Sequence, residues 1–337
     1  MKYDCIVWAS DYSKNSGEGV LANIFIDQLF KYNKKFNKLK KKTKFISRLR
    51  VKKNFLHKYF DPIYGAFNLL LHRDKEIVYI NYLPLWNFFI FILLPKRTVL
   101  GPITGGVYNG DVSNLNFFIR KYIFPFLYKI SLFIIFKKFD KVIFSTDILK
   151  NFIPKKKLKK SVFNFILLNI KYPIFKKKYK KKFEIIVYNR NHETKKNINY
   201  NNFLLKLINE KKKICIVGDK LKIKMNNNCT FFGYIPRKKL FELLQKCKFA
   251  INSLENYYSL FATDAFNNNC VIISEKNNNI KQVIRNSKNF IQIDYNNLTN
   301  ENYNLILKNS FFKENDNLFL SKIKKNNNKI FKFIRNY

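Results

Sequence analysis

No uncharged apolar run in this chain reaches the roughly 18 residues that a membrane span needs. The apolar-leaning stretch after Met1-Lys2-Tyr3-Asp4 is too short for the core of a signal peptide. The expected location is therefore cytoplasmic, with any membrane association peripheral. Five cysteines, Cys5, Cys215, Cys229, Cys247 and Cys270, are scattered, odd in number and without metal-ligand spacing, so they read as reduced, buried thiols. No cluster of His, Asp and Glu suggests a bound metal either, and none is expected. Acid is scarce: 22 Asp and Glu stand against 65 Lys and Arg, a net charge of +43. The basic residues match no groove-reading motif, so nucleic acid is not an expected partner.

What is present is enough for a folded protein of ordinary kind. A chain of 337 residues, 47% hydrophobic, can form two domains that each bury a core. Only nine of the basic residues are Arg. The lysine excess comes with abundant Asn, Ile, Phe and Tyr, which reads as a bias spread over the whole sequence. The sharper alternative is attraction to anionic lipid headgroups, worth about 1 kcal/mol per basic residue near the surface.

In chain order, 5–9 reads as a first strand and 20–30 as an amphipathic helix, joined by the loop Asn15-Ser16-Gly17-Glu18-Gly19. Strand, glycine loop and helix make an anion-binding arrangement, because glycine lets the backbone approach and the helix start offers N–H groups to phosphate. Gly17 and Gly19 are the candidates; a mere tight turn is the plain alternative. Residues 34–58 are lysine-dominated, with too few periodic apolar positions to predict a core helix. A strand is expected at 76–81, a helix within 83–94, and a second glycine loop with Gly105 and Gly106 after a strand ending at Leu100. The segment 117–138 interleaves aromatics with Arg120, Lys121, Lys129, Lys137 and Lys138. It reads as helices buried under the first sheet or as a pair lying on a membrane. Lysine runs at 154–160 and 176–182 mark the domain boundary.

The second half opens with a strand at 184–188, then Asn189-Arg190-Asn191-His192-Glu193-Thr194-Lys195. Gly218 closes the next strand. After Phe231-Phe232-Gly233-Tyr234-Ile235-Pro236-Arg237, the positions Leu240, Leu243, Leu244 and Cys247 mark a helix face, and 249–251 a buried strand. A polar loop, Ser253-Leu254-Glu255-Asn256-Tyr257-Tyr258-Ser259, leads into a helix at 260–267, with Asn269 in a left-handed cap before a strand at 271–273. That order puts the loop at the carboxyl end of one strand and the amino end of the next helix, where open α/β sheets hold ligands.

The frame from Gly233-Tyr234-Ile235-Pro236 through Ser253-Leu254-Glu255-Asn256 and Ser259-Leu260 to Asp264-Ala265 resembles the carboxy-terminal signature of family-four retaining, nucleotide-sugar-dependent glycosyltransferases of the GT-B fold. Arg190 and Lys195 reproduce the spacing of that family's basic pair, with Asn189 in place of its Gly. The resemblance implies an α/β chain of two Rossmann-like, doubly wound parallel-sheet domains facing across a cleft. Residues 1–172 would form the acceptor domain, 173–318 the donor domain, and 319–337 a last helix packing back across both. It implies a sugar moved with retention from a nucleoside-diphosphate donor, a co-substrate rather than a cofactor, to a glycan or lipid-linked acceptor. Arg190 and Lys195 would stabilise the leaving diphosphate, Glu255 or Asn256 would hold a sugar hydroxyl, and Asp264 would take the ribose. Ser259, Leu260 and Gly218 would border the donor, and Gly17, Gly19, Gly105 and Gly106 would face donor or acceptor. A nucleotide-sugar epimerase of related fold and a non-catalytic basic polyanion binder are the rivals.

Overall fold

The computed structural model of the chain describes residues 3–13, 16–47, 57–80, 83–106, 115–171, 180–191, 199–252, 259–276, 287–297, 303–304, 312–313 and 316–337. The chain divides into two compact units, one of residues 1–168 with 325–337 and the other of residues 169–324.

The first unit is built on the parallel sheet β2-β1-β3-β5, formed by β1 (Cys5–Ala9), β2 (Thr43–Ser47), β3 (Glu76–Ile80) and β5 (Val99–Leu100). Strands β1, β3 and β5 read as near-continuous apolar runs because both of their faces are covered. Cys5, Val7, Ala9, Val78 and Ile80 face one core with α1 (Gly17–Tyr32) and α2 (Lys34–Leu39). Ile6, Trp8, Ile77 and Tyr79 face the other, with α3 (His57–Leu71), α4 (Phe88–Leu93) and α6 (Phe124–Lys138). A short α5 (Leu115–Phe118) runs into α6 through a π turn, Ile119–Ile123. Two small parallel pairs extend the unit, β4 (Leu83–Pro84) with β6 (Ile103–Thr104) and β7 (Val142–Ile143) with β8 (Ser161–Val162).

The sequence predicts no core helix in 34–58, and the structure adds there the short helix α2, with only Phe36 buried, and the strand β2. Strand β2 carries exposed Lys44 and Phe45 at the edge of the sheet, so its stability comes from pairing with β1 over Cys5↔Thr43 to Ala9↔Ser47 and not from its own pattern. The helix expected within 83–94 is likewise shorter, since Leu83 and Pro84 pair with β6.

The second unit is a six-stranded parallel sheet of order β11-β10-β9-β12-β13-β14. Its strands are β9 (Phe183–Asn189), β10 (Ile214–Gly218), β11 (Cys229–Phe231), β12 (Cys247–Asn252), β13 (Val271–Glu275) and β14 (Phe290–Ile293). Counted from β9, this is the order 3-2-1-4-5-6 of the doubly wound nucleotide-binding sheet. On one face Ile185, Val187, Ile216 and Ile251 meet Phe203, Leu204 and Leu207 of α7 (Asn201–Asn209). The other face receives α8 (Arg237–Gln245) and α9 (Leu260–Asn267). Cys247 lies in β12 and not on the helix face where its spacing placed it.

The last helix, α10 (Asn317–Arg335), contributes to each unit separately. Phe319 packs on Phe266 and Phe290 in the second. Ile330 and Ile334 are fully buried in the α1 core of the first, where Asn33 Nδ2 donates to the carbonyls of Ile334 (3.2 Å) and Tyr337 (3.1 Å).

Candidate functional site

The switch point of the second sheet lies between β9 and β12: the chain winds outward from β9 to β11, then continues on the other side of β9. Strands that part in this way leave a crevice at their carboxyl ends. There β9 ends at Asn189, β10 at Gly218 and β12 at Asn252, and exposed Arg190 follows β9 directly.

Asn189 is buried and ties these strand ends together. Its Nδ2 donates to the carbonyls of Asp219 (3.0 Å) and Lys220 (3.4 Å), and its Oδ1 accepts from the Tyr200 hydroxyl at 2.6 Å. Burial pushes the Tyr200 phenol above its ordinary value, so it stays a donor. Gly218 sits at φ +98°, and a Cβ there would stand 2.0 Å from the Asn189 carbonyl oxygen. Only glycine allows the two strand ends to close this far. Asn189 therefore acts as a connector.

Asp219 organises the loop that carries Arg190. It accepts from the Asn191 amide at 2.6 Å and from the Tyr234 hydroxyl at 2.7 Å. These bonds, aided by the charge of Arg190, hold its carboxyl below the ordinary range, and the same bond holds the Tyr234 phenol above its own. At the start of α9, Ser259 is the N-cap, its Oγ accepting from the Ala262 amide at 3.0 Å, and Leu260 opens the helix. Phe261 stacks on Tyr188 at 5.0 Å between ring centroids, which brings the beginning of α9 against the end of β9.

Asp264 is buried at 4% exposure in the second turn of α9. Its Oδ1 accepts from Arg237 Nη2 (2.6 Å) and Asn169 Nδ2 (2.9 Å), and its Oδ2 accepts from Arg237 Nε (3.0 Å). Burial raises its carboxyl above the ordinary range, and the Arg237 guanidinium draws it back down. Asn267 continues the same seam, donating to the Asn169 carbonyl at 2.8 Å and accepting from the Lys171 amide at 2.9 Å.

Of the residues singled out from sequence, Arg190, Gly218, Ser259, Leu260 and Asp264 belong to this second unit. Gly17, Gly19, Gly105 and Gly106 belong to the first. Gly17 is the first residue of α1, capped by Ser16. A Cβ on Gly19 would stand 2.0 Å from the Ser13 carbonyl oxygen, and one on Gly105 would stand 2.9 Å from Leu149. The carbonyl of Gly106 accepts from the Tyr128 hydroxyl at 2.8 Å. The close approaches that Gly19 and Gly105 permit are thus to the protein's own atoms. Lys195, Glu255, Asn256 and His192 lie outside the described residues.

Sequence reasoning assigned no role to Arg237, Asn169, Asp219 or Tyr234. A signal existed for Arg237: it is one of only nine Arg in a chain of 65 basic residues, and it follows a proline at a helix start. Arginine in a lysine-rich chain marks a place that needs a planar, two-pronged cation. Among the described residues, no group of His, Cys, Asp and Glu could hold a metal ion, and no helix is long and apolar enough to cross a membrane.

No family model matches the sequence, and no curated protein does. Solved structures do. The UDP-N-acetylglucosamine 2-epimerase of Rickettsia bellii superposes with a TM-score of 0.53 at 10% identity, covering 100% of this chain and 97% of that one. MnaA of S. aureus, solved with UDP, superposes with a TM-score of 0.50 at 10% identity, covering 94% and 91%. The spinosyn forosaminyltransferase SpnP reaches 0.47 at 8% identity over 97% and 96%, a likeness too slight to carry weight. The full-length likeness and the two parallel sheets together give the chain the GT-B type of fold, with two Rossmann-like units.

Proposed function

We propose that the protein is a nucleotide-sugar enzyme, a retaining glycosyltransferase of hexosyl type. It would move a sugar from a nucleoside-diphosphate donor to a glycan or lipid-linked acceptor, in surface polysaccharide or glycolipid synthesis on the inner face of a membrane. One observation carries this reading: exposed Arg190 stands at the carboxyl end of the first strand of a 3-2-1-4-5-6 sheet, beside the switch point and next to the strand that leads into α9. A guanidinium there can hold a diphosphate through paired, charge-assisted hydrogen bonds and offset the negative charge that grows as the bond to the sugar breaks. The amino end of α9 favours the same charge. Lys195 is the second cation of the proposal, and Glu255 or Asn256 the holder of a sugar hydroxyl. Asp264 already accepts three hydrogen bonds from Arg237 and Asn169. Of the roughly four acceptor positions of a carboxylate, one on Oδ2 remains for a ribose hydroxyl. Catalysis in this scheme rests on positioning and charge stabilisation, with no resident metal.

A second reading, a nucleotide-sugar 2-epimerase, is favoured by the likeness to the Rickettsia bellii epimerase over both whole chains. Both readings need a bound nucleoside diphosphate. Thermal shifts with UDP, GDP and their sugars test that shared step, since a ligand at 100 times its Kd stabilises by about 2.7 kcal/mol. Arg190→Ala should abolish the response, and an unchanged shift in that variant removes the phosphate site from Arg190. NMR of the products then separates the two: a new glycosidic bond that requires acceptor supports transfer, and an epimerised donor formed without acceptor supports the second reading. Binding to heparin with a steep salt dependence and no nucleotide response would leave only the polyanion binder.

A further inference from the structure

Three neighbouring helices of the first unit each turn a row of apolar side chains to solvent. On α3 the row is Phe60, Tyr64, Phe67 and Leu71, spaced i, i+4, i+7, i+11, with Phe60 61% and Leu71 65% exposed. On α4 it is Phe89 and Ile92. Along the π turn and α6, Tyr122, Phe126, Lys129, Phe133 and Lys137 repeat the helical spacing on one outward stripe, with Phe126 63% and Phe133 70% exposed. Helix α4 packs against both of the others, and Lys138 Nζ fastens the end of α6 to it by donating to the carbonyls of Phe91 (3.1 Å) and Ile92 (2.6 Å).

These rows are not the leavings of a loose core. The inward sides of the same helices supply Ala66, Leu69, Ile90, Phe91, Leu132 and Ile135 to the buried cluster around Trp8 and Tyr79. On α3, Gly65 lets the helix lie directly on the Trp8 indole, where a Cβ would stand 2.1 Å from Nε1. The helices are therefore apolar on both sides, a pattern that calls for a second apolar surface outside.

Charge says which surface. From the start of α3 to the end of α6, residues 57–138 contain ten Lys and Arg and four acids, Asp61, Asp74, Glu76 and Asp111, and the outward stripe of α6 carries lysine and no acid. Lys129 and Lys137 lie exposed within the aromatic stripe of α6, and Lys96 and Arg97 lie exposed after α4. Aromatic rings alternating with lysines match a surface that presents fixed negative charge above an apolar layer, which is how an anionic bilayer is built. We infer that the outward face of α3, α4 and α6 docks on an anionic lipid bilayer, its rings entering the headgroup boundary and its lysines meeting lipid phosphates. The inference deepens the membrane location given in the proposed function by naming the face that docks, and it does not depend on the nucleotide site.

The test is co-sedimentation of the full chain with phosphatidylcholine vesicles, with or without about one third phosphatidylglycerol. The chain should pellet with the phosphatidylglycerol vesicles, less so in high salt, and little with phosphatidylcholine alone. The double variants Phe126→Ser/Phe133→Ser and Lys129→Glu/Lys137→Glu should each weaken binding by about tenfold, with the unfolding midpoint unchanged. The inference is overturned if phosphatidylglycerol vesicles do not bind the chain or if both variants bind like the parent. It also fails if the parent is a dimer that the Phe126→Ser/Phe133→Ser variant splits, which would make a second copy the occupant. Nucleotide thermal shifts, read on the same samples, keep a failure here distinct from a failure of the proposed function.

Discussion

Arg237 and Asp264 form a two-pronged ion pair, Nε to Oδ2 at 3.0 Å and Nη2 to Oδ1 at 2.6 Å, in a carboxylate environment almost closed to water. Removing the cation would leave a buried charge without its partner. Arg237→Ala should therefore destabilise the second unit by about 3 kcal/mol, read as a lower urea midpoint near neutral pH. With Arg237 gone, the Asp264 carboxyl titrates higher still in the folded state. A group whose folded pKa lies above its unfolded value stabilises at low pH and loses that contribution as pH rises. The deficit of the variant should thus shrink toward about pH 5. A deficit that is constant across this range would show that the pair does not bear on the charge of Asp264.

Asn33 ends two helices at once. Its Oδ1 accepts from the amides of Lys35 and Phe36 at the start of α2, and its Nδ2 donates to carbonyls at the end of α10. Asn33→Ala should cost about 1–2 kcal/mol. Amide exchange should quicken in 330–335 as well as in α2; quickening confined to α2 would mean that the α10 carbonyls hold without it.

Gly218→Ala places a methyl 2.0 Å from the Asn189 carbonyl at a φ of +98°. The strain should cost about 2 kcal/mol or more. Because the displaced strand end carries Arg190, the nucleotide thermal shift should weaken with it. An alanine variant as stable and as responsive as the parent would contradict the geometry of the two strand ends.

The hydrogen bond from Tyr234 to Asp219 links two titrations. The Asp219 carboxyl is held low, so its contribution is present above the ordinary carboxylate range and fades as pH falls through its folded value. The Tyr234 phenol is held high, so its share is lost as pH rises past the ordinary phenol range through its folded value. Asp219→Asn should bring the Tyr234 ionisation down, as read by NMR of ring-labelled tyrosine assigned with Tyr234→Phe. No movement would mean that the bond is not kept in solution.

The second unit was more legible in the sequence than the first. Helix α9 occupies the expected 260–267, and Asn269 takes the left-handed cap at φ 59°, with the Cys270 amide reaching back to the Ala265 carbonyl at 3.0 Å. These features are local: spacing, a cap and a β-branched run suffice to specify them. Edge strand β2 escaped notice because its pairing partner lies more than thirty residues away, and sequence pattern carries no such information. The sequence motif points to Asp264 as a ligand residue, while its partners Arg237 and Asn169 come from distant segments, so the rarity of Arg singles out Arg237 without naming its partner. In 117–138 the burial of Tyr128 and Phe136 agrees with helices packed under the first sheet, while Phe126 and Phe133 are exposed.

Residues 325–337 complete the first unit, where Ile330 and Ile334 fill the core under α1. During translation, the first 168 residues leave the ribosome without the side chains that close this core, and the whole of the second unit is made before they arrive. The later-synthesised unit is therefore free to mature ahead of the earlier one, which has to wait with a hydrophobic trough open beside α1. Slowing elongation between the two segments should lengthen that wait and raise the demand for chaperones.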